Sequence, residues 1–327
     1  MFALLLACTP DATLIPTDAS PAHFPVADGA LPSDPIPGTD DNNTGEDPDT
    51  APPIGDSGDA DGWDGSGACP VLDAAVRVGH LPPGLEEVSG IVASRAHPGV
   101  VWVLEDSGNE PELYALDLDG TLLATVRLPV NNRDWEDLAL VPCGEEDCLW
   151  IADTGDNDLV RDDAILHVIH EPAIADGDAH IDHSYPVHYA DGARNVEAMV
   201  VSAAGVPTLF SKLDDGTTEV LQQVGTTFQV KARLDVHDRG DTGWDGRVTA
   251  ADLWPDGHTL LLRTYAHAWR YELPTGDPAA VDGTTRVAMD APDQDQVEAV
   301  AWDPTLGGWW QTSEGEGAEL WYGGCAE

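Results

Sequence analysis

The chain has very little positive charge. Its 327 residues include 14 Lys and Arg against 60 Asp and Glu, a formal net charge of −46. Such a surface repels the phosphates of nucleic acids, so we expect no nucleic-acid partner. The sequence also lacks a G-x-S-x-G motif, a P-loop and a His-rich metal motif, which are common signatures of hydrolases, nucleotide-binding enzymes and metalloenzymes.

Phenylalanine and long apolar runs are scarce as well. There are four Phe but eleven Trp, a balance that fits a β-rich core better than a helical bundle. Apart from a short run at the start, no apolar stretch approaches the roughly 20 residues that a membrane-spanning helix needs.

The first eight residues, MFALLLAC, are a short apolar run that ends in Cys8. This segment resembles a bacterial lipoprotein signal, in which the cysteine becomes the acylated N-terminus of the mature chain. It departs from that pattern because no Lys or Arg precedes the apolar run. The resemblance implies an exported protein held at a bacterial outer membrane or cell surface by a lipid anchor.

The remaining cysteines number four, and an even count in an exported chain favours disulfides. Cys143 and Cys148 bracket the turn GEED between two apolar runs, so they are placed to staple one hairpin. That pairing leaves Cys69 for Cys325, a bond that would tie the start of the folded region to its end. A site of four thiolates around a metal is the alternative, although the spacing contains no Cys-x-x-Cys pair.

Residues 9–68 contain no Lys or Arg and are rich in Asp, Pro, Gly, Thr and Ala. Low hydrophobicity combined with like charge cannot bury enough apolar surface to offset chain entropy. We therefore expect a signal at 1–8, a disordered acidic linker at 9–68 and one folded domain at 69–327.

The folded region repeats a unit of short apolar runs separated by Gly, Asp, Pro and Asn turns, which is typical of all-β proteins. Four units supply four runs each. A fifth supplies three, and residues 74–81 provide the missing one. This predicts an all-β, five-bladed β-propeller closed by an N-terminal strand. The alternatives are a six-bladed propeller, for which no sixth unit is found, and a sandwich or open repeat array.

A polar residue opens the innermost run of each unit, at intervals of 47, 61, 52 and 49 residues. In a propeller these positions face the central channel at one height, so three carboxylates and two hydroxyls would converge there. The five positions are Ser89, Glu136, Glu197, Thr249 and Glu298.

Carboxylates at such short distances from one another cannot all stay ionised without compensation. Either some of them are protonated or a cation is bound among them, and an oxygen-only ligand set favours Ca²⁺ as that cation. The alternative is that each carboxylate caps backbone amides or pairs with a nearby arginine, since Arg133, Arg194 and Arg247 lie two or three residues before ring positions.

The order Ser, Glu, Glu, hydroxyl, Glu, with the short matches EVSGI, WEDLA and VEA, resembles five-bladed propellers that hold a central calcium. These are the SdiA-regulated bacterial envelope propellers and, more distantly, the calcium-activated nucleotidases, or apyrases. The resemblance covers about residues 69–327 and implies that the five positions are the calcium ligands. Thr249 stands where those families carry Ser.

The turns beside the ring, such as EDSGNE and DTGDND, are rich in acid and small residues. We expect them to form a ligand face, although solvated turns explain the same composition. Its candidate residues are Asp106, Arg133, Trp135, Asp153, Asp156, Arg194, Lys212, Arg247, Arg263 and Glu314. Asp137, next to Glu136, is expected to face the other side of its strand and to have a structural role.

Two functions fit the sequence. The favoured one is a lipid-anchored, monomeric, calcium-stabilised binding or scaffold module without catalysis, whose ligand or protein partner the sequence does not name. The alternative is a calcium-dependent hydrolase, such as a nucleotidase, in which the metal clamps phosphate and Arg133, Arg161, Arg194 or Arg263 neutralises its charge. The overall negative charge disfavours anionic substrates.

Overall fold

A computed structural model describes residues 67–326 of the protein. The expected signal at Cys8 and nearly all of the expected linker lie outside the described residues. The described part consists of β-strands and one 3-10 turn, Pro278–Ala280. Within it, no helix has the length and apolar character needed to cross a membrane.

The first described strand does not pair with the strand that comes next in the chain. Strands β2 to β5 form an antiparallel meander, blade 1, whereas β1 pairs with the last strand of the chain. The bounds are β1 (Val76–His80), β2 (Val88–Ala93), β3 (Val100–Glu105), β4 (Glu112–Asp117) and β5 (Leu122–Arg127).

Blade 2 is the next meander, and one short strand within its sequence pairs with blade 1 instead. Strands β6, β7, β8 and β10 are hydrogen-bonded in that order, whereas β9 adds in parallel to the outer edge of blade 1. The bounds are β6 (Trp135–Cys143), β7 (Glu146–Asp153), β8 (Ile165–His170), β9 (Gly177–Asp178) and β10 (His183–Pro186).

The last three blades complete the ring. Blade 3 contains β11 (Val196–Val201), β12 (Pro207–Ser211), β13 (Thr217–Val224) and β14 (Thr227–Asp235). Blade 4 contains β15 (Val248–Leu253), β16 (Thr259–Thr264), β17 (Ala268–Glu272) and β18 (Arg286–Ala288). Blade 5 contains β19 (Val297–Asp303), β20 (Gly308–Ser313) and β21 (Glu319–Gly324), with β1 as its outer strand.

The predicted five-bladed propeller is thus confirmed, including the N-terminal strand that completes the last blade. The core is divided into five apolar clusters, one at each junction between neighbouring blades. In the cluster that joins blade 5 to blade 1, for example, Trp310 and Leu320 pack with Ile91 and Val103. Both faces of each blade are therefore buried, which explains the apolar runs without helical periodicity.

The seam of the ring is closed by both hydrogen bonds and a disulfide. The Asp73 amide donates to the Gly324 carbonyl at 2.9 Å, beside the disulfide between Cys69 and Cys325. The second disulfide joins Cys143 to Cys148 across the β6–β7 hairpin. Both predicted pairings are confirmed.

Removal of the seam disulfide should destabilise the protein far more than removal of the hairpin disulfide. The bonds close loops with sequence separations of 256 and 5 residues, for which the chain-entropy model gives about 5 and about 2 kcal/mol. We expect Cys69→Ala/Cys325→Ala to lose more unfolding free energy in denaturant titrations than Cys143→Ala/Cys148→Ala. Equal losses would contradict a seam-locking role.

Candidate cation and ligand site at the channel mouth

A β-bulge occurs at the same place in every blade. In each innermost strand the pairing register shifts around one residue near the strand's start, and the five strands contact one another about the axis. A bulge turns a side chain out of the regular alternation. The five bulged residues are the predicted ring, Ser89, Glu136, Glu197, Thr249 and Glu298, and all are buried at what we call the channel mouth.

The two ring hydroxyls bind the backbone of the next blade. Ser89 Oγ donates to the Trp135 carbonyl at 2.9 Å, and Thr249 Oγ1 donates to the Val297 carbonyl at 2.7 Å. Each acceptor directly precedes a ring glutamate. These hydroxyls therefore tie neighbouring blades together and fix the backbone beside the carboxylates.

Two ring glutamates share one ammonium group. Lys212 Nζ lies 2.9 Å from Glu197 Oε2 and 3.4 Å from Glu298 Oε1. The Tyr265 hydroxyl also donates to Glu298, and Asn195 donates to Glu197. Burial alone lowers the pKa of Lys212, but the charges of the two carboxylates outweigh it and raise the pKa, so the amine stays protonated.

Glu136 is the ring glutamate without a partner. Its side chain is 2% exposed, and no residue between 67 and 326 donates a hydrogen bond to its carboxylate or forms an ion pair with it. Its carboxylate lies with those of Asp106 and Asp134, with one oxygen from each residue within 4.8 Å of the others. We call these three residues the carboxylate cluster.

The carboxylate cluster cannot hold three negative charges without a free-energy cost. Burial raises the pKa of Glu136 well above its usual value, and the charges of Glu197 and Asp106 add to the effect, whereas the charge of Lys212 opposes it. Burial also raises the pKa of Asp106 to about 7, against the Ser107 amide, which lowers it. A bound cation would remove this strain.

The backbone makes room for the carboxylate cluster at Gly155. A Cβ atom there would lie 1.9 Å from Glu136 Oε1 and 2.6 Å from Asp134 Oδ2. Since heavy atoms cannot approach that closely, any side chain at this position would displace the two carboxylates.

A cavity of about 750 Å³ opens above the ring. Trp244, half exposed, stacks on Tyr265 with ring centroids 4.7 Å apart and also contacts the Arg247 guanidinium. The polar and aromatic lining is Asp106, Asn157, Arg194, Asn195, Glu197, Lys212, Asp214, Glu219, Trp244, Arg247, Tyr265, Gln296, Glu298 and Glu314. We call this cavity the mouth pocket.

The arginines around the mouth pocket are already paired. Arg194 binds Glu219 at 2.7 Å, and Arg247 binds Asp214 at 2.6 Å. Of the other arginines considered for phosphate, Arg133 and Arg161 share Asp163, and Arg161 also binds Asp153. The pocket therefore presents acid and amide groups rather than free cations.

Four residues expected on the ligand face are buried and do not line the mouth pocket. Trp135 is buried between blades 1 and 2, and Arg263 is buried on the side of β16 that faces blade 5. Burial lowers the pKa of Arg263 to about 9. Asp153 and Asp156 are also buried, and their carboxylates accept hydrogen bonds from loop amides.

Asp137 reaches the channel as well, contrary to the expected alternation. The bulge at Glu136 shifts the alternation, so Asp137 Oδ2 accepts hydrogen bonds from the Met199 and Ala251 amides at 2.8 and 3.3 Å. Asp137 therefore has a structural contact, as expected, and its carboxylate joins blade 2 to blades 3 and 4. In the other blades the residue after the bulge is Gly90, Ala198, Ala250 or Ala299.

Comparisons with known proteins leave the family open. No family model matches the chain, and no curated protein matches it. One similar solved structure is the PQQ-bound form of an aldose sugar dehydrogenase from Streptomyces coelicolor, with a TM-score of 0.47, 10% identity, and coverage of 79% of this chain and 99% of that one. Another belongs to a mitotic checkpoint complex, with a TM-score of 0.34, 12% identity, and coverage of 71% and 60%.

Replacement of Asp137 should destabilise the propeller through its unpaired amides. Asp137→Ala leaves the Met199 and Ala251 amides without an acceptor, at about 1–3 kcal/mol for each buried group. We expect a loss of about 3 kcal/mol in denaturant unfolding, and a smaller loss for Asp137→Asn, which keeps one acceptor oxygen. Equal losses for both variants would argue that volume, not hydrogen bonding, matters there.

Removal of the Lys212 charge should leave Glu197 and Glu298 uncompensated. Breaking a buried ion pair from one side costs about 3–5 kcal/mol, so Lys212→Met should be strongly destabilised. Adding Glu197→Gln to that variant should recover part of the loss. A double-mutant cycle measures this coupling, and strictly additive effects would contradict the shared ion pair.

Proposed function

We propose that the protein is a calcium-dependent binding module whose cation binds the carboxylate cluster and whose ligand binds in the mouth pocket. The observation that carries this proposal is the buried Glu136 carboxylate, which has no partner among the described residues and lies beside Asp106 and Asp134. An uncompensated buried carboxylate is costly, so its presence supports a cation that the chain itself does not supply.

The donor chemistry supports calcium over transition metals. Carboxylate oxygens are the hard ligands that Ca²⁺ prefers, and backbone carbonyls and water complete its six to eight contacts. The resemblance to calcium-holding propellers implies all five ring residues as ligands. Since Lys212 already forms ion pairs with Glu197 and Glu298, we place the ion on the Glu136 side of the ring, with Asp106 and Asp134 as additional ligands.

The mouth pocket supports a neutral or cationic ligand. Glu298 and Glu314 line it, and its arginines are held by Glu219 and Asp214. The half-exposed Trp244, which stacks on Tyr265 and contacts Arg247, adds an aromatic side chain beside hydrogen-bonding groups. Such a combination suits a ligand that carries hydroxyl or ammonium groups on an apolar frame, for example a sugar.

We also propose that the protein is exported and lipid-anchored through Cys8. Two disulfides in the folded part fit an oxidising compartment. The acidic segment at 9–68 would then act as an extended spacer that holds the propeller away from the membrane.

The alternative function, a calcium-dependent phosphohydrolase, has less support. Phosphate binding needs cations that are free to neutralise phosphoryl oxygens. Arg161 and Arg194 are instead paired with carboxylates, Arg133 is paired with Asp163, and Arg263 is buried in the core.

Calcium should stabilise the protein through Glu136. A ligand at 100 times its Kd adds about 2.7 kcal/mol, which corresponds to a rise in Tm of roughly 5–10 °C for a domain of this size. Glu136→Gln should lose at least tenfold in calcium affinity, as measured by calorimetry. In chelator, however, the variant should be at least as stable as the native protein, because a neutral amide avoids the burial and like-charge repulsion that raise the pKa of Glu136.

The matched control is Glu145→Gln, which changes an exposed carboxylate at the far end of the β6–β7 hairpin. It should keep the native calcium response. A native protein whose Tm is the same in chelator and in millimolar calcium would refute the proposal, as would a Glu136→Gln variant that still responds to calcium.

A further inference from the structure

A second group of metal-ligand side chains lies at the end of blade 2 that is remote from the channel mouth. Cys143 ends β6 and pairs with Glu146 across the hairpin, whereas Cys148 lies directly opposite His170 on β8. The two sulfurs and one ring nitrogen of His170 lie within 4.8 Å of one another. This group is independent of the calcium proposal and shares no residue with it.

The spacing around His170 matches that of a tetrahedral zinc site. His170 Nδ1 lies 3.8 Å from Cys143 Sγ, 3.9 Å from Cys148 Sγ and 3.2 Å from Glu146 Oε2. Zinc bonds of about 2.3 Å to sulfur and about 2.0–2.1 Å to nitrogen and oxygen place neighbouring sulfur and nitrogen ligands about 3.6 Å apart, and nitrogen and oxygen about 3.4 Å apart. Once the disulfide is reduced, the two sulfurs must separate to about 3.8 Å, whereas the distances from His170 to the other donors need only small changes.

The surroundings supply the orientation and access that a metal site needs. His170 Nε2 lies 4.0 Å from Asp182 Oδ2, which also accepts a hydrogen bond from the His170 backbone amide at 2.9 Å. Asp182 therefore lies on the Nε2 side of the ring, where a carboxylate can hold the Nε2 proton once a metal occupies Nδ1. A cavity of about 340 Å³ opens beside the two cysteines, and the His170 side chain is half exposed, so solvent ions have a path to the site.

We propose that reduction of the Cys143–Cys148 disulfide creates a zinc site with Cys143, Cys148, His170 and Glu146 as ligands. A dithiol reductant supplies two electrons, the sulfur–sulfur bond breaks, and the reductant leaves as its own disulfide while the chain gains two thiols. Zinc then displaces the two thiol protons and bonds to both thiolates. The same two sulfurs therefore form either the disulfide or the bonds to zinc, but not both at once.

The other disulfide provides an internal comparison. Cys69 and Cys325 belong to no such group of ligands within residues 67–326, and Cys69 is fully buried. The hairpin bond instead borders the 340 Å³ cavity, so mild reduction with a phosphine should open it first, and thiol labelling followed by mass spectrometry identifies the open pair.

Cobalt is the probe for the test because tetrahedral thiolate–Co²⁺ sites absorb in the near ultraviolet and visible. The selectively reduced protein should bind one Co²⁺ with both bands, and Zn²⁺ should displace it. The oxidised protein and Cys143→Ser/Cys148→Ser should show no thiolate band. His170→Ala and the milder His170→Gln should weaken binding at least tenfold, whereas the matched control His183→Ala, at an exposed histidine beside the same cavity, should bind as the native protein does.

Three results would overturn the zinc proposal. The first is reduced protein that retains its circular dichroism spectrum but shows no thiolate–cobalt band. The second is unchanged cobalt affinity in both His170 variants, which would indicate chelation by a dithiol alone. The third is loss of the folded spectrum on reduction before metal is added, because the site requires that β7 and β8 remain paired.

Discussion

The charge balance at the channel mouth is the constraint on which the site depends. The bulge in each innermost strand brings Glu136, Glu197 and Glu298 to one height in a buried channel, where the carboxylates repel one another. Lys212, which directly follows the second strand of blade 3, forms ion pairs with two of them. Glu136 lies instead with Asp106 and Asp134, so the carboxylates without an ion-pair partner among the described residues are concentrated on one side of the ring. That asymmetry is why we place a cation there.

Much of this arrangement was predictable from the sequence. Apolar runs and turns repeat at nearly constant intervals because each blade is one supersecondary unit, so the blade count, the closing strand and the ring positions follow from spacing. The Lys212–Glu298 pair was not predictable, since it joins residues 86 positions apart in different blades. The expected orientations of Trp135 and Asp137 were wrong because the bulge between them changes which side chains face the channel. No local sequence pattern predicts that bulge. Asp134 carries a signal only in retrospect, as the first acid of the RDWED stretch.

Blade 2 carries two sites of opposite chemical character at its two ends. At the channel mouth it contributes Glu136 to an oxygen-only group suited to a hard cation, and at the far end it contributes Cys143, Cys148 and His170, which suit zinc. The first group depends on burial and on neighbouring blades. The second is local to the β6–β7 hairpin and β8, and it becomes available only when the disulfide is reduced. If both proposals hold, the different ligand preferences of the two sites should direct calcium to the first and zinc to the second.

The location of bound calcium tests the central claim most directly. Crystals grown in calcium, and parallel crystals in which a lanthanide replaces it, allow the metal to be located by anomalous scattering. The account predicts one strong peak between Glu136, Asp106 and Asp134, with the Lys212 ammonium still between Glu197 and Glu298. A peak that displaces Lys212 from those two glutamates, or no peak at the channel mouth, would contradict it.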